Sequence, residues 1–274
     1  MSKESPSVMF LYRTVPGRLL LKLLVRPEIS EASAHIMSSR ISSAFIPAFV
    51  RKNNIDMNYY VRPAGGYRSF NDFFTRKLKP EYVKKYDGGM VSPCDGLLTV
   101  FDINEDSVFE IKNSKYSVRG LLRDKKLAGR FSGGKALIFR LTPSHYHRYC
   151  YPTDGKVYTN RRINGVLHCV RPVALETFKV FTENSREYSI IRSEKYGNII
   201  QMEVGAMLVG KISNSRGLEK NFQVKGGEEK GYFEYGGSTI ILLLERKFEL
   251  TGEIMGRDKV CGEIPVMIGE KLLK

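Results

Sequence analysis

Five consecutive apolar residues, Ile240–Leu244, follow directly on Gly236-Gly237-Ser238-Thr239. A continuous apolar run of this length behind turn residues reads as a buried strand, and therefore demands a sheet with a core packed on it. Its entry also carries chemistry. Glycine lets the backbone reach strained conformations at little steric cost, and a serine hydroxyl beside a Gly–Ser peptide bond can attack the carbonyl just before it. Such an attack cuts the chain and turns the serine into a new electrophilic group. Gly-Gly-Ser is equally ordinary turn chemistry ahead of a strand, so on this motif alone both readings stand.

Around the run the pattern changes once along the chain. Residues 1 to about 80 have helical periodicity. The Leu-rich segment Val8–Val25 is interrupted by Arg13, Arg18 and Lys22, and Leu19, Leu20, Leu23 and Leu24 are expected on one helical face with Arg18 and Lys22 on another. Pro27 stops this helix, and Ser30 with Glu31 and Ala32 starts the next. A third covers Ile41–Val50 and is perturbed by Pro47. Ser69 reads as the N-cap of a segment through Leu78, with Asp72 three residues on as a capping-box analogue. From about residue 90, short apolar or alternating runs lie between Gly, Asn and Asp signals: Leu97–Phe101, Ala136–Leu141, Tyr188–Ile191, Ile199–Val204, Met207–Val209, Ile240–Leu244 and Phe248–Leu250. The expectation is an α+β chain: a helical N-terminal region over 1–80 attached to a β-rich domain over 81–274, built as a barrel or sandwich.

Composition limits the partners. The 274 residues hold 44 Lys+Arg against 29 Asp+Glu, a net charge of +15, which favours nucleic acid, anionic lipid or a phosphorylated substrate. No run reaches the ~18 uninterrupted apolar residues of a membrane span, but a basic, Leu-rich helix suits the lipid interface, its cations reaching the headgroups. No cleavable signal peptide is expected, because Arg13 and Pro16 interrupt the first apolar stretch. Cys94, Cys150, Cys169 and Cys261 show neither a CxxC pair nor metal spacing, and read as free thiols of a reducing compartment.

Four segments concentrate reactive side chains. Asp95 sits in the turn Ser92-Pro93-Cys94-Asp95-Gly96, ordinary turn chemistry in itself. His145 and His147 fall in Leu141–Pro152 and point to the same side if that segment is extended; a metal would need a third ligand, and none is evident. His168, beside Val166, Leu167 and Val170, reads first as a packed core histidine. Asp95, a histidine and Ser238 make a possible charge-relay set, since serine attacks only when a base takes its proton and a carboxylate fixes the imidazole tautomer. No Gly-x-Ser-x-Gly elbow supports a serine hydrolase, and no nucleic-acid motif supports a basic nucleic-acid-binding module.

Several pieces occur in the order and spacing of one family: Ser69-Phe70-Asn71-Asp72-Phe73-Phe74-Thr75-Arg76, Val91–Gly96, Tyr146-His147-Arg148, Glu203–Gly210, and Lys225–Phe233 running into Gly236–Thr239. From about Gly17 to Gly262 the chain resembles the phosphatidylserine decarboxylase proenzymes. The resemblance implies that Ser238 attacks the Gly237 carbonyl, that elimination releases a β chain (1–237), and that loss of ammonia leaves an α chain (238–274) beginning with a pyruvoyl group. It implies an Asp-His-Ser set for the cut, with Asp95 and Ser238 matching. Family members carry Tyr-His-Arg-x-His and use the second histidine; that position is Cys150 here, leaving His147, His168 or His145. His147 is assigned the role, because it matches a family histidine also implicated in decarboxylation. Cys94 is a second departure, alanine being common there. The implied partners are phosphatidylserine in an anionic membrane and the two cleaved chains as a heterodimer, with no metal and no nucleic acid, on the cytoplasmic face of the cell membrane. The alternative is a related pyruvoyl decarboxylase acting on archaetidylserine or an amino acid.

Overall fold

The computed structural model describes residues 5–111, 114–207, 211–235 and 238–273. The Leu-rich segment is two helices, α1 (Pro6–Arg13) and α2 (Val15–Leu24), rather than one. Thr14 breaks it: its backbone is extended and its hydroxyl accepts from Gly17 N at 3.1 Å, capping α2 behind Pro16. Gly17 allows the corner, since a Cβ there would lie 2.0 Å from the Phe10 carbonyl oxygen. Leu11, Tyr12, Leu21 and Val25 join the main core, whereas Leu19, Leu20 and Leu23 remain 62%, 46% and 50% exposed. Leu24 departs from the expected face and packs against the core.

Helix α3 (Pro27–Ser38) begins at Pro27 and not at Ser30, because proline at the first helical position lacks only an N–H that would be unpaired anyway. Residues 40–45 form a 3-10 turn, so that α4 (Ile46–Lys52) starts just before Pro47. Helix α5 (Phe70–Phe74) has the predicted cap: Ser69 Oγ accepts from Asp72 N at 3.1 Å, and Asp72 accepts from Arg68 N at 2.9 Å. Its Phe70, Phe73 and Phe74 form a second core with Ile55, Tyr60 and Tyr146.

The strands are β1 (Met90–Val91), β2 (Gly96–Asp102), β3 (Val108–Ile111), β4 (Ser114–Ser117), β5 (Lys135–Leu141), β6 (Arg148–Cys150), β7 (Gly155–Ile163) and β8 (Arg186–Ser193). They continue with β9 (Gly197–Val204), β10 (Ile212–Asn214), β11 (Phe222–Val224), β12 (Glu229–Phe233), β13 (Ser238–Leu244), β14 (Ile264–Val266) and β15 (Lys271–Leu273). The large sheet is antiparallel, in the order β11-β7-β8-β9-β13-β5-β2-β14. It is open: its edges are the short strands β11 and β14, which do not pair with each other, so the expected barrel does not form. A three-stranded sheet, β10-β12-β6, is tied to it by a buried Lys230–Glu203 pair at 2.6 Å and by an Asn214–Glu187 hydrogen bond. Phe248–Leu250 is not a strand; the segment is irregular, and Phe248 packs edge-on against Tyr196. The expected strand through Met207–Val209 lies partly outside the described residues.

Strand β13 is central and wholly buried, paired with β9 on one side and β5 on the other. The ladders run in one row from Ile163 through Arg186, Val204, Thr239, Arg140 and Leu97 to Pro265. One step beyond it, Ser238 faces Leu141 and Gly96 faces Val266. The starts of β13 and β2 and the end of β5 therefore share one end of the sheet.

Candidate active site

Asp95, His147 and Ser238 are all delivered to that end. Ser238 opens β13, fully buried, and its hydroxyl has no hydrogen-bond partner among the described residues. Asp95 immediately precedes β2. Its two carboxylate oxygens accept from Ile268 N at 2.8 Å and from Tyr146 N at 3.3 Å. Burial, helped by Glu270, holds the Asp95 carboxyl above its usual range, and these two N–H groups and the nearby Arg76 guanidinium limit the rise. Tyr146 N–H thus ties Asp95 to the residue next to His147.

His147 lies at the end of the turn that leaves β5. The ring is fully buried against Phe74, with centroids 4.0 Å apart. Its Nδ1 lies 2.9 Å from the His145 carbonyl oxygen, which can only accept, so Nδ1 carries the proton. Nε2 is then a bare lone pair, buried and unpartnered. Burial, then Arg76 and His145, hold this imidazole well below its usual range, so it is neutral near pH 7. A buried neutral imidazole with a free lone pair is what a general base requires. Among the described residues no direct hydrogen bond joins Asp95, His147 and Ser238.

The other two candidate histidines, His145 and His168, are occupied. The turn at 143–145 breaks the extended geometry that would have put His145 and His147 on one side. His145 Nδ1 accepts from Thr142 N at 3.0 Å, and burial with Arg140 lowers this group to about 4. His168 stacks on Phe178 at 4.2 Å, with Nδ1 3.4 Å from the Tyr12 hydroxyl and Nε2 3.7 Å from Glu183. It is packed in the manner of a core histidine. Cys150, the residue that the resemblance sets against the family's second histidine, lies in β6; burial raises its thiol to about 12, so it stays protonated and cannot act as a base at pH 7.

Gly237, the expected cleavage position, lies outside the described residues, as do Gly236 and residues 208–210 of the matching pieces. On the near side of that gap, Tyr235 N donates to Asn71 Oδ1 of α5 at 3.1 Å. Tyr235 is therefore held by α5 and Ser238 by the sheet. Among the described residues no three His, Cys, Asp or Glu side chains gather as a metal site.

Sequence reasoning missed Arg76, which is buried among aromatic rings at the same end. The signal was the arginine closing the aromatic stretch Phe70–Phe74, which reads equally as a solvated helix face. It also missed Ile268, whose backbone N–H leaves no mark in a sequence.

A family profile described as phosphatidylserine decarboxylase matches residues 70–274. The chain is 42% identical to phosphatidylserine decarboxylase proenzyme 2 of Clostridium acetobutylicum, over 96% of this chain and 90% of that one. It is 39% identical to the phosphatidylserine decarboxylase proenzyme of Clostridium tetani, over 86% and 80%. The like-named protein of Fusobacterium nucleatum is 38% identical, over 96% and 89%.

Proposed function

Because the chain belongs to the phosphatidylserine decarboxylase family, we propose that it is a proenzyme that cuts itself between Gly237 and Ser238 and then converts phosphatidylserine to phosphatidylethanolamine. The observation that carries this reading is the Ser238 hydroxyl, buried and unpartnered at the head of the central strand, at the sheet end that also receives Asp95 and His147. In the proposed cut His147 Nε2 takes the Ser238 proton as Oγ attacks the Gly237 carbonyl. The Gly237–Ser238 amide becomes an ester, and the Ser238 nitrogen becomes a free amine. Loss of the Cα proton then expels Gly237 as a carboxylate and leaves dehydroalanine. Its imine tautomer takes up water and releases ammonia. The surroundings fit the pyruvoyl group that results: position 238 is dry and at the start of a rigid strand.

Such a group supplies a carbonyl that accepts the electron pair left when carbon dioxide departs. Asp95 holds the Tyr146–His147 backbone in place through Tyr146 N–H. His147, protonated in turn, is the group positioned to return a proton to the substrate carbon. Ile268 follows position 238 in sequence, so after cleavage its N–H to Asp95 would link the two chains of a heterodimer. Release of carbon dioxide from phosphatidylserine vesicles, and none from free serine, is the expected result; activity on the free amino acid alone would overturn the substrate assignment.

The N-terminal helices support a place on the membrane surface. Among the described residues no helix is long and apolar enough to cross a bilayer. Phe10, Leu19, Leu20, Leu23, Ile36 and Phe45 are exposed, and Arg18 and Lys22 are exposed on the same helix as the three leucines. Anionic lipid adds roughly 1 kcal/mol per Lys or Arg near the surface. Cys94, Cys150, Cys169 and Cys261 form no disulfide, which fits the cytoplasmic face. Deleting these helices would also strip Leu11, Tyr12, Leu21 and Val25 from the core, so substitutions give the cleaner test. Changing Leu19, Leu20 and Leu23 together to serine is expected to weaken sedimentation with phosphatidylserine vesicles at least about a hundredfold, each leucine contributing roughly 1.5–3 kcal/mol when buried. Self-cleavage should be unchanged. Unchanged sedimentation would remove the interfacial reading.

A further inference from the structure

Arg76 is among the largest fully buried side chains described, and two of its nitrogens, Nε and Nη1, make no hydrogen bond of ordinary geometry among the described residues, Tyr60 being the polar side chain against it. Leaving a guanidinium so poorly satisfied away from water is costly unless something else is gained. It lies over the Tyr60 ring at 4.3 Å and the Phe73 ring at 4.9 Å, contacts that suit a planar cation. Its Nη2 donates to the Ser144 carbonyl at 3.4 Å and to the His145 carbonyl at 3.3 Å. The His145 carbonyl is the same one that accepts from His147 Nδ1. One oxygen thus receives the arginine and the imidazole together.

We propose that Arg76 is a positioning residue of the maturation site, gripping the turn carbonyl that fixes the His147 tautomer and setting a buried positive charge in the same pocket as Asp95. This rests on His147 being the base. The charged and titratable neighbours of His147 are Arg76 and His145; those of Asp95 are Arg76 and Glu270, with Cys94, Cys150, Tyr60 and Tyr146 close by. Arg76 is the cation common to both sets. It acts in the same direction on each: it favours the ionised Asp95 and the neutral His147. Both are the forms a base and its orienting carboxylate need at the start of the cut. A guanidinium, which does not lose its proton in the working range, makes that bias independent of pH.

The uncut Ser238→Ala chain, labelled with 15N-histidine, reads the effect without relying on cleavage. His147 is expected to be protonated on Nδ1; protonation on Nε2 overturns the proposal whether or not any Arg76 variant folds. In the same background, Arg76→Gln should raise the pH at which His147 protonates by roughly one to three units, the range a single close charge imposes. Arg76→Lys, which keeps the charge, should leave it near the native value. In chains that retain Ser238, the acid limb of the self-cleavage rate should move up with Arg76→Gln and stay in place with Arg76→Lys. A folded Arg76→Gln chain with an unmoved His147 midpoint overturns the proposal, as does an Arg76→Lys chain displaced as far as Arg76→Gln. Cleavage by a His147→Ala chain would remove the base assignment while leaving the resonance readout of Arg76 intact, so the two ideas fail separately.

Discussion

Ser238→Ala is expected to give one uncut polypeptide that releases no carbon dioxide, because the substitution removes both the attacking oxygen and the atom that becomes the reactive carbonyl. The native protein should instead give two masses in denaturant, a longer piece ending at Gly237 and a shorter one blocked to Edman degradation. Under native conditions the pieces should leave a sizing column together. The shorter piece would contain β13, β14 and β15, which pair with β9 and β5, with β2, and with β1. Its five aliphatic residues from Ile240 to Leu244 are completely buried, each stabilised by roughly 1.5–3 kcal/mol. An alanine chain that still matures, or a native chain that stays whole yet turns over lipid, contradicts the assignment of Ser238.

His147→Ala should slow self-cleavage by about 10²- to 10⁴-fold, the usual contribution of a positioned general base. His168→Ala should cut at close to the native rate while losing stability, because the His168 ring stacks on Phe178 and both its nitrogens face partners, Tyr12 and Glu183. The pH dependence gives a second check. A base works above its pKa, and His147 is held well below the ordinary histidine value. Native cleavage should therefore persist at acid pH where an exposed histidine would already be protonated. Rates of appearance of the shorter chain across that range, for the native protein and both variants, separate the candidates. Rapid cleavage by His147→Ala together with failure of His168→Ala would transfer the role to His168.

The sequence exposed those parts of the fold that rest on local pattern. Ser69 capping α5 and the buried run of β13 are set by neighbours within a few residues, and both appear where the periodicity put them. The open sheet was not legible, since closure depends on whether β11 and β14 meet, and nothing in either three-residue strand encodes that. Helix α3 was misplaced because Pro27 was read only as a stop, although proline serves equally as a first residue. Asp95 and Ser238 were visible through their turn and strand settings. The arrangement around His147 was not, because it depends on a backbone carbonyl, a long-range arginine and the N–H of Ile268, none of which has a sequence signature.

The central position of β13 gives the molecule a one-way life. A newly made chain can fold with its middle strand still covalently tethered to both neighbours in the sheet. Once severed, that strand would have to find its slot again by collision between separate molecules, in competition with aggregation. Thermal inactivation should then be irreversible, and the working lifetime of the protein set by how slowly the sheet opens rather than by any balance between folded and unfolded forms.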